Sequence, residues 1–217
     1  MDTHSTFVIL LAGDLEIDDR VRALCEDAYI IAADGGIKHA YHLGIAPDVW
    51  LGDFDSTPHL MHKHFNDVEK LTFVREKDAT DGSLAIEFAV NKQATRIILL
   101  GAIGGDRFDH TLGLMFEMVS LHRKGIDIFM TSGLEECWPI SEGQFSFTQP
   151  QDSMFSILPL TDIKGLTISG AAYPLDAIDV DFGSTLTLSN VIKGELQIDL
   201  LSGQAVLIAR PHDTTGA

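Results

Sequence analysis

The chain reads as an α/β fold, a mostly parallel sheet with helices on both faces, followed by a smaller all-β unit of sandwich or barrel type. Three observations predict this. In the first half, short continuous apolar runs stop at Gly or Asp, and stretches with helical spacing lie between them. After about Trp138-Pro139 the pattern changes to short runs with period-two alternation and no convincing helix. A run that is apolar at every position suits a strand buried on both faces, as in a parallel sheet, whereas alternation suits a strand with one wet face.

Phe7-Val8-Ile9-Leu10-Leu11 and Tyr29-Ile30-Ile31-Ala32-Ala33 open the series of buried strands, and Val49-Trp50-Leu51, Arg96-Ile97-Ile98-Leu99-Leu100 and Ile126-Asp127-Ile128-Phe129-Met130 extend it. Between them, Leu84, Ala85, Phe88 and Ala89 share one helical face after Thr80 or Asp81 as N-cap, and 112–124 is a helix that stops at Gly125. Strands that alternate with helices predict the parallel sheet. In the second half, Phe145-Ser146-Phe147, Met154-Phe155-Ser156-Ile157-Leu158, Leu186-Thr187-Leu188 and Glu195-Leu196-Gln197-Ile198-Asp199-Leu200 are strand-like. Ser202-Gly203, between Leu200-Leu201 and Ala205-Val206-Leu207-Ile208, predicts a tight hairpin loop. The texture places the domains at 1–140 and 141–217. The second is small enough that it should pack on the first or on a second subunit, and 211–217 reads as a frayed tail.

Composition narrows the function. Of 217 residues, 45% are hydrophobic and 22% charged, the balance of an ordinary soluble globular protein. A formal net charge of −17 argues against nucleic acid and anionic membrane surfaces, which would repel the chain before contact formed. It suits a cationic ligand better, and bound phosphates would need a metal and a few placed basic groups. Cys25 and Cys137 stand far apart without a Cys-x-x-Cys spacing, so neither a disulfide scaffold nor a structural zinc site is encoded. The first residues lack the basic start and apolar core of a signal peptide, and no stretch approaches the ~20 apolar residues of a membrane span. A cytoplasmic location is the expectation.

The chemistry concentrates at Gly52-Asp53-Phe54-Asp55-Ser56, where two carboxylates follow the apolar run Val49-Trp50-Leu51. An acidic pair at a strand end asks for a cation. If the segment is extended, Asp53 and Asp55 share one face and can reach one magnesium; the bland alternative is a turn capped by Asp55 at Asp55-Ser56-Thr57-Pro58. Three more acidic turns follow: Ala33-Asp34-Gly35-Gly36, Lys77-Asp78-Ala79-Thr80-Asp81, and the segment from Gly101 to His110. Asp34-Gly35-Gly36 fits either close approach to an anion or a strand-to-helix turn. Asp81, from its position alone, fits an N-cap. Gly101, Gly104 and Gly105 match neither a dinucleotide fingerprint nor a P-loop, yet backbone donors at Gly104-Gly105 can cradle phosphate with Arg107 as a bidentate partner. Asp109 and His110 begin a helix, where an acid also suits the dipole. His59, His62 and His64 do not have zinc-helix spacing. In a parallel sheet the four acidic turns gather at the carboxyl edge, so they predict one site for a polyanion and a metal.

These turns, in this order, resemble the thiamine pyrophosphokinase family over 11–209, with a second-half signature of Phe182-Gly183-Ser184 leading to Ser189-Asn190. The resemblance implies transfer of a pyrophosphoryl group from ATP to thiamine with Mg2+ as cofactor. It makes Asp53, Asp55 and Asp81 the metal ligands and places Asp109 near the attacking hydroxyl. Asp34, Gly35, Gly36, Asp78, Thr80, Gly104, Gly105, Arg107 and His110 fall to the nucleotide. Tyr173, where the family often has tryptophan, falls with Ser189 and Asn190 to thiamine. A homodimer is implied, with thiamine shared between subunits. Gly82 and Leu114 depart from the family pattern, which has a bulky residue and Asn there. Rival readings are an Asp-x-Asp phosphatase and a non-catalytic nucleotide or thiamine sensor.

Overall fold

The computed structural model describes residues 5–54, 57–72 and 80–215. The chain divides into two compact units, Met1–Gly133 and Leu134–Ala217.

The first unit runs β1 (Thr6–Leu10), α1 (Asp19–Leu24), β2 (Tyr29–Ala33), a 3-10 turn at Asp34–Gly36 continuing into α2 (Ile37–Leu43), β3 (Val49–Leu51), α3 (His59–His64), β4 (Glu69–Leu71), α4 (Asp81–Asn91), β5 (Arg96–Leu100), α5 (Phe108–His122) and β6 (Asp127–Thr131). Its strands pair in parallel in the order β6-β5-β1-β2-β3-β4. From β1 the chain builds outward through β2, β3 and β4, then returns to the other side of β1 with β5 and β6. The order therefore reverses between β1 and β5, and in such sheets a crevice opens there at the carboxyl ends of the strands. Burial follows position. Phe7 to Leu10 and Ile97 to Leu100 are buried in the centre, while Glu69 and Lys70 on edge strand β4 are exposed.

Local chemistry starts and stops the helices. Asp18 caps α1 by accepting from the Val21 N–H at 2.8 Å, and Thr80 caps α4 by accepting from the Ser83 N–H at 3.2 Å. Thr80, not Asp81, is thus the cap, and Asp81 is left free to face elsewhere. Gly44, with φ of 72°, ends α2 in a left-handed turn.

The second unit, among the described residues, is all β: β7 (Glu136–Ile140), β8 (Gly143–Phe147), β9 (Met154–Pro159), β10 (Ile163–Ala171), β11 (Leu175–Val180), β12 (Asn190–Leu200) and β13 (Ala205–Arg210). β7, β13 and β9 form one antiparallel layer, and β8, β12, β10 and β11 the other. β12 joins them, because Asn190 and Val191 pair with β9 while its later residues pair with β10 and β8. Phe155, Ile157, Leu166, Ile168, Leu196, Ile198 and Leu207 fill the core.

Three sequence expectations are corrected here. The division falls after Gly133 rather than at 140, so β7 belongs to the second unit, where it pairs with β13. Ser202-Gly203 is not a hairpin loop: β12 and β13 lie in different layers, and the Gly203 backbone packs against the Asp162 carbonyl as the chain crosses. Leu186-Thr187-Leu188 is not a strand. Its burial is inverted, with Leu186 and Leu188 exposed and Thr187 buried because its hydroxyl donates to the Ile157 carbonyl at 2.6 Å.

Candidate functional site

The carboxyl ends of the strands form a cleft of about 520 Å³ in the first unit. Leu11, Ala12 and Gly13 after β1, Asp34 after β2, Asp53 after β3, Thr80, Asp81 and Gly82 at the start of α4, and Gly101, Ala102 and Gly104 to Arg107 after β5 all line it. His110 and Thr111 of α5 complete the wall. Thus Asp34, Asp53, Thr80, Asp81, Gly104, Gly105, Arg107 and His110, named from sequence in four separate turns, meet in one place. Asp55 and Asp78 lie outside the described residues.

The acids share one electrostatic field. The Asp81 carboxyl is pushed above the usual range, first by burial and then by the negative charges of Asp34 and Asp53. Asp34, Asp53 and Asp81 therefore fit a divalent cation by charge and by their oxygen chemistry. Among the described residues they do not close into a ready-made ligand set. The local backbone also differs from the sequence expectation: β3 has ended at Leu51, and Phe54 has φ of 62°, so period-two alternation does not set the direction of Asp53. Asp34 is itself in the left-handed region, with φ of 41°.

Opposite the acids, Gly104 and Gly105 have φ of 87° and 81°, a pair of left-handed residues that glycine adopts without a Cβ clash. Their turn is held by a residue missed in the sequence: Asp14 Oδ2 accepts from the Gly105 N–H at 2.9 Å. The Leu11–Asp14 loop is tied down in turn. The Gly13 N–H donates to the Gly101 carbonyl at 3.0 Å, Lys38 Nζ donates to the Ala12 carbonyl at 2.6 Å, and His39 Nε2 donates to the Gly13 carbonyl at 2.9 Å. Burial holds the His39 pKa below its ordinary value, which favours the neutral ring that makes this bond. No motif marks Asp14, Lys38 or His39; their bonds span 26 to 91 residues of sequence.

Other expected site residues turn out differently. At Gly36 a Cβ would collide with the Leu10 carbonyl, so close packing of the turn on β1 by itself requires glycine there. Gly35 lies against the Ala12 side chain. Arg107 and Asp109 pair with each other at the start of α5. In the second unit, Asn190 is buried and hydrogen-bonds three backbone groups: Oδ1 accepts from the N–H groups of Tyr173 at 3.0 Å and Val191 at 2.8 Å, and Nδ2 donates to the Tyr173 carbonyl at 2.8 Å. It acts as a clamp for Tyr173 rather than as an open polar contact. Tyr173 is 68% exposed, and Ser189, also exposed, has φ of 58° with its N–H on Ser156 Oγ at 3.0 Å.

A doubly wound α/β unit with clustered carboxylates and a glycine turn at its switch point, followed by a β unit, defines a phosphate-handling enzyme class. Comparison with known proteins narrows it. Residues 21–130 match the thiamin pyrophosphokinase catalytic domain and residues 143–204 match the thiamin pyrophosphokinase vitamin B1 binding domain. Thiamine pyrophosphokinase of Bacillus subtilis (strain 168) is 30% identical over 164 residues, 74% of this chain and 76% of that protein. The crystal structure of thiamine pyrophosphokinase from Bacillus subtilis matches with a TM-score of 0.84 and 26% identity, covering 95% of this chain and 99% of that one. Thiamin pyrophosphokinase from Geobacillus thermodenitrificans shares the fold, with a TM-score of 0.80 at 24% identity over 98% and 99% of the two chains. The chain belongs to the thiamin pyrophosphokinase family. Its activity is that of a thiamine diphosphokinase, with ATP as co-substrate.

Proposed function

We propose that this chain carries out the family reaction on a magnesium-bound ATP held in the cleft of the first unit. The observation that carries the reading is the convergence of Asp34, Asp53 and Asp81 on the same cleft as the Gly104-Gly105 turn. Asp53 and Asp81, with Asp55, hold the cation, and Asp34 adds negative charge beside them. Bound there, magnesium neutralises charge on the transferring phosphates. Backbone donors near Gly104 and Gly105, with Arg107 and His110, meet the phosphate oxygens, and Asp78 and Thr80 fall to the nucleotide beside Asp81. The thiamine hydroxyl oxygen attacks the β-phosphorus, the bond from that phosphorus to the α–β bridging oxygen breaks, and AMP departs with that oxygen. Asp109 orients the hydroxyl, whose proton passes to solvent water as the new bond forms. Tyr173 and Ser189 contribute to thiamine recognition, the aromatic plane suiting a cationic ring. The working form is a cytoplasmic homodimer, which sedimentation at micromolar concentration tests.

The decisive experiment is Asp53→Asn, which removes one ligand charge but keeps the side-chain shape. AMP and thiamine diphosphate should form together in wild type. In the variant the rate should fall by roughly two orders of magnitude, equivalent to about 3 kcal/mol of transition-state stabilisation, with the melting temperature unchanged. Near-normal turnover of Asp53→Asn in magnesium would remove the acid cluster from the chemistry.

A further inference from the structure

Trp50 is 0% exposed, in the middle of β3, in register with Ala32 and Lys70. A wholly apolar side chain would fill such a core position without a partner for its nitrogen. Instead the indole N–H donates to the Asp34 carbonyl at 3.0 Å. Asp34 is the non-glycine residue held at φ of 41°, a conformation L-residues adopt only at an energetic cost and keep where surrounding contacts impose it. The same indole packs edge-on against the Phe54 ring at a centroid distance of 4.9 Å, and Phe54, at φ of 62°, directly follows Asp53. His62 lies 4.9 Å away and the Lys70 ammonium 5.3 Å away from the indole, closing a cage around it. One buried side chain therefore touches both acid-bearing turns, one by a hydrogen bond and one by ring contact.

We propose that Trp50 is a positioning residue for the acid cluster, fixing the Asp34 turn through its carbonyl and the Asp53 turn through Phe54, and that its indole senses cation binding in the cleft. This rests on the reading of the cleft as a magnesium–nucleotide site. Trp50 is not among the residues that line the cleft, so it acts through the two aspartates.

Trp50→Phe keeps most of the ring bulk and deletes the N–H. In the presence of a non-hydrolysable ATP analogue, the magnesium midpoint of the thermal-stability shift should rise about tenfold, equivalent to about 1.4 kcal/mol. Turnover at saturating magnesium should fall much less than turnover at limiting magnesium. A second arm uses Trp138→Phe, which leaves Trp50 as the sole tryptophan of a chain that has two. Its emission should change saturably with magnesium, at the midpoint seen in the thermal shift. An unchanged midpoint in a folded Trp50→Phe variant overturns the inference. Should that variant not fold, the emission arm decides, and Trp50 emission that ignores magnesium while the melting temperature rises overturns it too. If wild type shows no magnesium-dependent shift with the analogue, the reading of the cleft fails as well, a result distinct from either.

Discussion

Arg107 lays its guanidinium across both carboxylate oxygens of Asp109, Nε on Oδ1 at 2.9 Å and Nη2 on Oδ2 at 2.7 Å. The hydrogen bonds from Arg107 draw the Asp109 carboxyl down to about 2. Both side chains are largely exposed, so the pair does little for stability; its consequence is functional, because the fork proposed for phosphate is engaged by an acid two residues away. Asp109→Asn should loosen that competition and lower the KM for ATP while also lowering kcat. Arg107→Lys, which cannot reproduce the planar fork, should raise the KM for ATP roughly fivefold with little effect on thiamine. Separate KM measurements for the two substrates check both outcomes.

Asn190 and Tyr173 lead to a different expectation from the one the sequence suggested. Since Asn190 bonds three backbone groups in a buried setting, Asn190→Ala leaves those groups unpaired, costing about 2 kcal/mol and lowering Tm by about 4–8 °C. Tyr173→Ala, at an exposed position, should leave Tm within about 2 °C and raise the KM for thiamine alone. Calorimetric melts of both variants, with kinetics for each substrate, separate the clamp from the contact.

His39 should make stability depend on pH. Burial lowers its folded-state pKa below the ordinary 6.5, and the nearby charges of Lys38 and His42 act in the same direction, against the Gly13 hydrogen bond and Asp14. Between the folded value and 6.5 the unfolded chain binds more protons, so stability falls as pH drops through that window and is fully present above it. His39→Gln should flatten this part of the profile. Urea melts at several pH values check the slope, which should persist in wild type only.

Gly82 and Leu114, the two departures from the family pattern, face each other. A Cβ on Gly82 would lie 3.1 Å from Leu11 Cδ2 and 3.3 Å from Leu114 Cδ2. Gly82→Val should therefore overpack this wall and cost about 1–3 kcal/mol. Adding Leu114→Ala should recover about 1 kcal/mol relative to the sum of the single changes. A double-mutant cycle by denaturant melts measures the coupling.

How much of this was legible in advance differs residue by residue. The buried strands of the first unit could be read because runs such as Ile97-Ile98-Leu99-Leu100 carry their burial in composition. The weak edge strand β4, Glu69–Leu71, carries no such signal; its neighbour β3 supplies the pairing. The Gly125 stop is a local bond within a few residues, so spacing announced it, while spacing narrows the cap of α4 to Thr80 or Asp81 and the Ser83 N–H bond to Thr80 chooses between them. Leu186-Thr187-Leu188 misled because alternation cannot say which face is wet, and a single bond from Thr187 to Ile157 inverted it.

By itself the sequence determined the alternation of buried strands with helices in the first half, the separate β unit and the four acid-bearing turns, since each depends on residues close together in the chain. It also marked Asp34, Asp53 and Gly104-Gly105 as chemistry-bearing residues, whereas Asp81 by position alone fits an N-cap and becomes a metal ligand only through the family resemblance. Only tertiary structure decided that the carboxyl ends of β1 and β5 lie side by side, that Asp14 holds the Gly104-Gly105 turn while His39 ties down the Gly13 loop, and that Trp50 bridges two acidic turns. The physical reason is range. Caps, turns and periodicity are set by interactions within about one helical turn, whereas a hydrogen bond across 16 or 91 residues depends on which strands become neighbours in the sheet.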